Sequence, residues 1–295
     1  MTMKKNSKIY KTLIYGDEVS LAVLDTTALV NELINRHSLS PLAAAALGRT
    51  VTVSAYLCSW LKGEDDGLSV TIDGDGAGGK ICVSGNSQFH MRGFIEHPDV
   101  TLPPRADGKL DVGGCVGKNG TLTVIREDGD SVPFVGTSEL VSGEIAEDFS
   151  AYFYTSEQRP TAIALGVKIG TDGNCIGAGG VIMQPLPFAS EESLEQIERT
   201  ILQFSSVSTM IKEIGAEGIL REKFSAREWV DCDVHFQCHC SREKIEGILH
   251  SMGKEEALSI VKEEGKISVY CHYCNTDYTF DGKDVEKIFQ GDKTE

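Results

Sequence analysis

Four cysteines in two close pairs have the spacing of a metal site: Cys238 and Cys240 in CDVHFQCHC, and Cys271 and Cys274 in CHYC, with 30 residues between the pairs. A tetrahedral zinc ion takes four soft or borderline ligands, and two chelating pairs brought together by a hairpin or short helix supply them with little loss of loop entropy. Cys-x-x-Cys is the commoner half of such a site and Cys-x-Cys the less usual one. With four thiolates the site has no open position for water, so metal-assisted hydrolysis is not expected. Two roles stay open, a structural zinc and a zinc-held redox centre. Zinc keeps sulfur deprotonated, and thiolate is the form that oxidants attack. A disulfide between Cys271 and Cys274 would remove two ligands and unfold a module that depends on the metal. A Cys-x-Cys bridge is strained and easily reduced, which suits a reversible switch.

Other candidate ligands lie close by. His235, His239 and His272 interleave with the thiols, but the residue between two chelating positions points away from the metal, so His239 and His272 are expected at the surface. Cys232 alternates with Val234 and Phe236, which suggests a strand and reads as a buried strand cysteine. His250 is expected on a helix surface.

The charge balance is acidic. Lys plus Arg number 28 against 44 Asp plus Glu, a net charge of -16, which argues against general affinity for nucleic acid or anionic membrane. The opening MTMKKNSKIYKTLIYGDEVS has lysines but no apolar signal core, and nowhere do 18 apolar residues run together, so a cytosolic protein is expected. A reducing compartment leaves nine cysteines as thiols unless metal or oxidant intervenes. Cys82, Cys115 and Cys175 have no second thiol at chelating distance and read as packing or loop residues, and Cys58 and Trp60 as core.

Positioning the cysteine pairs falls to an α+β chain with an N-terminal α/β, sandwich-like domain over 1–185, a helical linker over 186–228 and a small C-terminal zinc-binding domain over 229–295. The N-terminal domain opens with two strands joined at Gly16-Asp17. A helix from Asp25-Thr26-Thr27 follows, then a second from Ser40-Pro41 that is apolar almost all round and so must be buried. DGDGAGGK carries Gly74, Gly79 and Lys80 at phosphate-loop spacing, but Ile81 replaces the magnesium-holding hydroxyl and the next segment alternates like a strand. A glycine-rich hairpin is expected instead. From Ser190 the chain reads as helical, with Leu194, Ile197, Ile201 and Phe204 at heptad spacing and Val207, Met210, Ile211 and Ile214 extending the face. In the C-terminal domain a pair of short helices is split at Gly253, then ISVYCHYCNTDYTF reads as a hairpin and KDVEKIF as a closing helix.

ALGR at 46–49, RGFIEHP at 92–98, FSAYFYTSEQ at 149–158, AGGVIMQPLP at 178–187 and the two cysteine motifs together resemble the heat shock protein 33 family of redox-regulated chaperones over essentially the full length. The resemblance implies an ATP-independent holdase, not an enzyme, that binds one zinc through Cys238, Cys240, Cys271 and Cys274 when reduced. On oxidation it implies Cys238–Cys240 and Cys271–Cys274 disulfides, zinc release, an unfolded switch, a loosened linker and homodimers that hold unfolding client proteins. The apolar linker face, with Leu194, Ile197, Ile201, Phe204 and Ile211, is then the expected client surface, packed while zinc is held and exposed afterwards. Two other readings compete. A zinc-ribbon regulator binding nucleic acid would need a basic face, yet residues 232–295 carry 8 Lys plus Arg against 13 Asp plus Glu. A thiol-disulfide oxidoreductase would use Cys271-His272-Tyr273-Cys274 at the start of a helix, where a hairpin is expected.

Overall fold

The structure is a computed structural model and describes residues 6–129 and 132–290. The chain divides into two compact units, 1–237 and 238–295. In the first, β1 (Ser7–Ile14) and β2 (Val19–Asp25) form a hairpin, followed by α1 (Thr27–His37) and α2 (Pro41–Cys58). Next come β3 (Gly67–Gly74), β4 (Ile81–Asn86), β5 (His90–Ile95), the short α3 (Val112–Val116), β6 (Gly120–Glu127) and β7 (Phe134–Glu139). α4 (Ala146–Thr155), β8 (Ala162–Ile169), β9 (Cys175–Pro185), α5 (Glu191–Ile201), α6 (Val207–Phe224) and β10 (Val230–Phe236) complete it.

Ten strands form one sheet in the order β7-β6-β3-β4-β5-β10-β1-β2-β9-β8. Neighbours are antiparallel except β10 beside β5. α2 crosses the inner face and α4 touches both edge strands, so the sheet curls round α2. Burial all round explains α2's composition. Its alanines admit close packing, and the hydroxyls of Thr50, Thr52 and Ser54 donate back to the carbonyls of Ala46, Gly48 and Thr50, which satisfies these buried groups within the helix. Ser40 caps the helix by accepting from the Ala43 amide. α4 is anchored by buried Asp148, whose carboxylate accepts from the amides of Val141, Ser142, Gly143 and Ile145.

On the outer face α5, α6 and the turn between them bury Ile197, Phe204, Val207 and Ile211 against Tyr10, Leu21, Val23, Val181 and Met183. The heptad spacing does not produce one continuous helix. α5 ends at Ile201, a 3-10 turn spans Leu202–Phe204, and α6 restarts at Val207. Within α6, Gly215 takes φ 68° and ψ 174°, a conformation open to glycine, and breaks the helix there. α6 sits close on the sheet because Gly166, Gly177 and Gly179 present no side chains beneath Ser208 and Ile211.

β10 corrects the expected boundary at 229. Its residues pair with Ser7–Lys11 of β1 and with His90 and Met91 of β5, and Val234 lies in the main core, so the first unit runs to residue 237. Cys232 is a second correction. It shares a strand face with Val234 but is exposed, beside Lys11 and Ser59 in a shallow cleft of about 240 Å³. Trp60 lies just past the end of α2 and is half-buried, whereas Cys58 is fully buried.

The second unit contains α7 (Arg242–Met252), α8 (Lys254–Glu264), the hairpin β11 (Ile267–Cys271) and β12 (Thr276–Phe280), and α9 (Gly282–Ile288). Its core is small: Ile245, Leu249, Ala257, Ile267, Phe280, Val285 and Phe289. Domains of this size bury little surface and commonly need a metal or disulfides to stay folded. No helix among the described residues is long and apolar enough to cross a membrane.

Candidate metal centre

Two local devices bring the four thiols together. Cys238 and Cys240 lie on the irregular segment before α7, whose N-cap Ser241 accepts from the Lys244 amide and so fixes where that segment ends. Cys271 ends β11, and the turn to β12 closes with the Asn275 amide donating to the Cys271 carbonyl and Asn275 in the left-handed region at φ 59°. That turn carries Cys274 back toward Cys271, which faces Thr276 in the ladder. Arg242 braces the two halves: its guanidinium donates to the Thr279 carbonyl, pairs with Asp284 at 3.0 Å and lies 4.2 Å from the Phe280 ring centroid.

The four Sγ atoms lie within 4.8 Å of one another. Cys238 to Cys240 is 3.3 Å, Cys238 to Cys271 is 3.7 Å and Cys240 to Cys274 is 3.2 Å. A tetrahedron of sulfurs about 2.3 Å from a central zinc has edges of about 3.8 Å, so the cage has the dimensions of a tetrathiolate site. All nine cysteines are free thiols.

The electrostatics agree with a cation-binding cage. Burial opposes ionisation of Cys240, but the Tyr278 hydroxyl donating at 3.3 Å and the three neighbouring thiols outweigh it and bring the Cys240 thiol down to about 7. Burial pushes Cys274 up to about 12, with Cys240 and Cys271 adding to the rise, and burial raises Cys271 too. One thiolate forms readily and opposes the next, an order that a divalent cation in the cage would reverse.

The neighbouring candidates stand apart from the cage. His239 and His272 are exposed, with His272 edge-on to Tyr270, and His250 stacks on Phe289 at 5.2 Å. His235 pairs with His90 in the large sheet. CHYC occupies a hairpin turn and opens no helix, which removes the main feature of a thioredoxin-like site. The glycine-rich loop holds no phosphate cradle. The amides of Gly76 and Gly78 donate to the carbonyls of Val116 and Cys115, and Lys80 pairs with Asp73 at 2.9 Å. Of the residues expected to meet clients, Ile197, Phe204 and Ile211 are buried, Ile201 is half-buried and Leu194 is 41% exposed. Tyr278, Arg242 and Asn275 escaped sequence reasoning. Period-two alternation through Thr276, Tyr278 and Phe280 is the signal that could have found the first.

Comparison with known proteins places this arrangement in a family. The family model described as Hsp33 protein matches residues 7–281. A 33 kDa chaperonin of Desulforamulus reducens is 43% identical over 269 residues, covering 90% of this chain and 91% of that protein. One of Bacillus cytotoxicus is 38% identical over 286 residues, covering 96% and 98%. The crystal structure of the 33 kDa chaperonin (heat shock protein 33 homolog) of Thermotoga maritima superposes with a TM-score of 0.88 at 34% identity, covering 98% of this chain and 99% of that one. With sequence and fold both matched from the first strand to the closing hairpin, the chain belongs to the Hsp33 family of chaperones.

Proposed function

We propose that the chain is a redox-regulated, ATP-independent holdase whose sensor is a single zinc ion held by Cys238, Cys240, Cys271 and Cys274. The observation that carries the reading is the cage of four sulfurs within 4.8 Å, in a unit whose own core is small. Zinc, when bound, keeps the four sulfurs deprotonated and supplies much of the unit's folding free energy, roughly 10 kcal/mol or more in zinc-finger peptides.

Oxidation then acts on the sulfurs. One thiolate of a pair attacks peroxide, breaking the O–O bond to give a sulfenic acid and hydroxide. Its partner thiolate displaces a second hydroxide as the S–S bond forms. Each pair thus gives two electrons to one peroxide. The pairing Cys238–Cys240 and Cys271–Cys274 follows the family resemblance, and it leaves no thiolate to hold a cation.

Unfolding of the cysteine unit would loosen the segment 186–228, acting as a linker, and expose Ile197, Ile201, Phe204 and Ile211, together with Leu194, to unfolding clients. The same reading makes the oxidised form a homodimer in the cytoplasm, with neither nucleic acid nor membrane as partner, in keeping with the net charge of -16. Light scattering from a thermally unfolding client tests it. The chain pretreated with peroxide at elevated temperature is expected to suppress scattering, and the reduced, zinc-loaded chain is not. Equal suppression by both, or by neither, would make the zinc purely structural.

A further inference from the structure

β12 aims a hydroxyl at the thiol cage. Alternation along the strand puts Thr276, Tyr278 and Phe280 on one face, with Phe280 fully buried in the small core and Thr276 and Tyr278 half-buried. The Tyr278 hydroxyl lies 3.3 Å from Cys240 Sγ, and the ring that carries it packs on the same core. Its backbone is fixed as well, because Tyr278 faces Val269 across the β11–β12 ladder. A tyrosine with its ring packed and its strand paired has little freedom to turn the hydroxyl to another acceptor.

The sulfurs do not share one environment. Cys271 Sγ accepts from the amides of Tyr273 and Cys274, inside its own turn. Thr276 Oγ1 lies 3.2 Å from Cys274 Sγ but also donates to the Cys274 carbonyl at 3.4 Å, so its proton has a rival acceptor. The Tyr278 bond differs in joining the two halves of the cage: the donor stands on the hairpin and the acceptor on the segment before α7. A thiolate attacks through a sulfur lone pair, and a donor bound to that pair draws charge from it. Nucleophilicity then falls with basicity, along a slope of about 0.4–0.5. Donors in the outer shell of a metal site also orient its ligands, and losing one commonly costs about 10- to 100-fold in metal affinity.

We propose that Tyr278 is a positioning residue that sets the oxidant threshold of the cage: its hydroxyl holds Cys240 in place for the metal and restrains that sulfur from attacking peroxide. The inference rests on the reading of the four thiols as a zinc-held sensor and adds the group that governs how readily one of them reacts. In the restrained step the Cys240 thiolate forms an S–O bond as the O–O bond breaks, giving a sulfenic acid and hydroxide. The Cys238 thiolate then displaces a second hydroxide as the S–S bond forms. The phenolic proton stays on Tyr278 throughout, so the residue changes the rate and is not consumed.

The test uses the full chain, reduced and zinc-loaded. Tyr278→Phe keeps the packed ring and removes the hydroxyl. Iodoacetamide reports each sulfur directly, since the thiolate displaces iodide in one step, and sequencing the labelled peptide by mass spectrometry separates Cys240 from Cys238. In the variant Cys240 is expected to label at least about threefold faster, and zinc release to need at least about threefold less peroxide. Zinc is expected to bind about tenfold more weakly against a competing chelator. A ring-fluorinated tyrosine in place of Tyr278, with the fluorine beside the hydroxyl, keeps ring and donor but strengthens the bond, and is expected to slow Cys240 labelling at least about twofold. Lost packing would not move the two substitutions in opposite directions, and the second keeps the test decisive if the first folds poorly. Cys240 labelling unchanged by both, or accelerated by both, overturns the inference. The wild-type chain separates the two readings. If it binds zinc and releases it to peroxide while neither substitution alters Cys240, the role of Tyr278 alone falls; if it binds no zinc, the sensor reading falls and the role of Tyr278 with it.

Discussion

In Cys271→Ser the bound zinc is expected to fall from about one ion per chain to less than about a tenth, and residues 242–288 are expected to lose their protection against amide exchange. Serine offers no thiolate, and the three remaining sulfurs cannot close the tetrahedron that the 3.2–3.7 Å separations describe. The unit has seven buried apolar side chains to fall back on, too small a core to offset the loss of roughly 10 kcal/mol of metal-linked folding free energy. The sheet of the first unit should keep its protection, because β1, β2 and β9 are tied through their own ladders, while the segment 186–228 loosens. Exchange measured residue by residue therefore separates local melting from global unfolding. Such a variant should also hold clients without oxidant. Full zinc with native protection in α7 and α8 would remove Cys271 from the ligand set.

Gly177→Val is expected to reach the same active state by another route, with zinc still bound. A Cβ at Gly177 would lie 2.2 Å from the Ser208 carbonyl oxygen and 3.2 Å from Lys212 Cβ. Helix backbone cannot yield as the tip of a flexible side chain can, so α6 must lift from the sheet. Valine suits a strand and leaves the ladder of β9 in place, which confines the damage to that contact. The cost is expected to be about 3 kcal/mol, the upper range for overpacking. It would expose Phe204, Val207 and Ile211 on one side and Leu21, Val181 and Met183 on the other. A hydrophobic dye should brighten in the reduced state and client scattering should drop without peroxide. Dye binding and scattering identical to wild type would show that the α6 contact does not control the apolar face.

Much of this arrangement was legible in the sequence where the signal is local. Chelating pairs, the Gly253 break and the hairpin through CHYC need a few neighbouring residues to be recognised, and each stands where its spacing puts it. β10 shows the limit. Its partner strand β1 lies more than two hundred residues away, so period-two alternation could announce a strand but not which sheet it joins. The same long-range pairing decides that Val234 is covered while Cys232 is open. Heptad spacing from Leu194 to Phe204 marked a stripe of which Ile197 and Phe204 are buried, Ile201 half-buried and Leu194 exposed, and it missed the 3-10 turn, since side-chain periodicity says nothing about where backbone bonds change from one pattern to the next. Tyr278 over Cys240, and the stack of Trp60, Arg126 and Phe134, join residues from separate elements, and only the assembled sheet or hairpin brings them within reach.

If the four thiols are the sensor, their oxidation, the loss of zinc and client holding must follow one another in a single time course. Zinc release, the masses of the disulfide-linked peptides and client holding would be followed together after peroxide is added to the reduced, zinc-loaded chain at elevated temperature. Zinc is expected to leave as Cys238–Cys240 and Cys271–Cys274 disulfides form, with holding rising no earlier than the loss of zinc. Holding that appears while zinc is still bound and the four thiols are still reduced would contradict a thiol sensor.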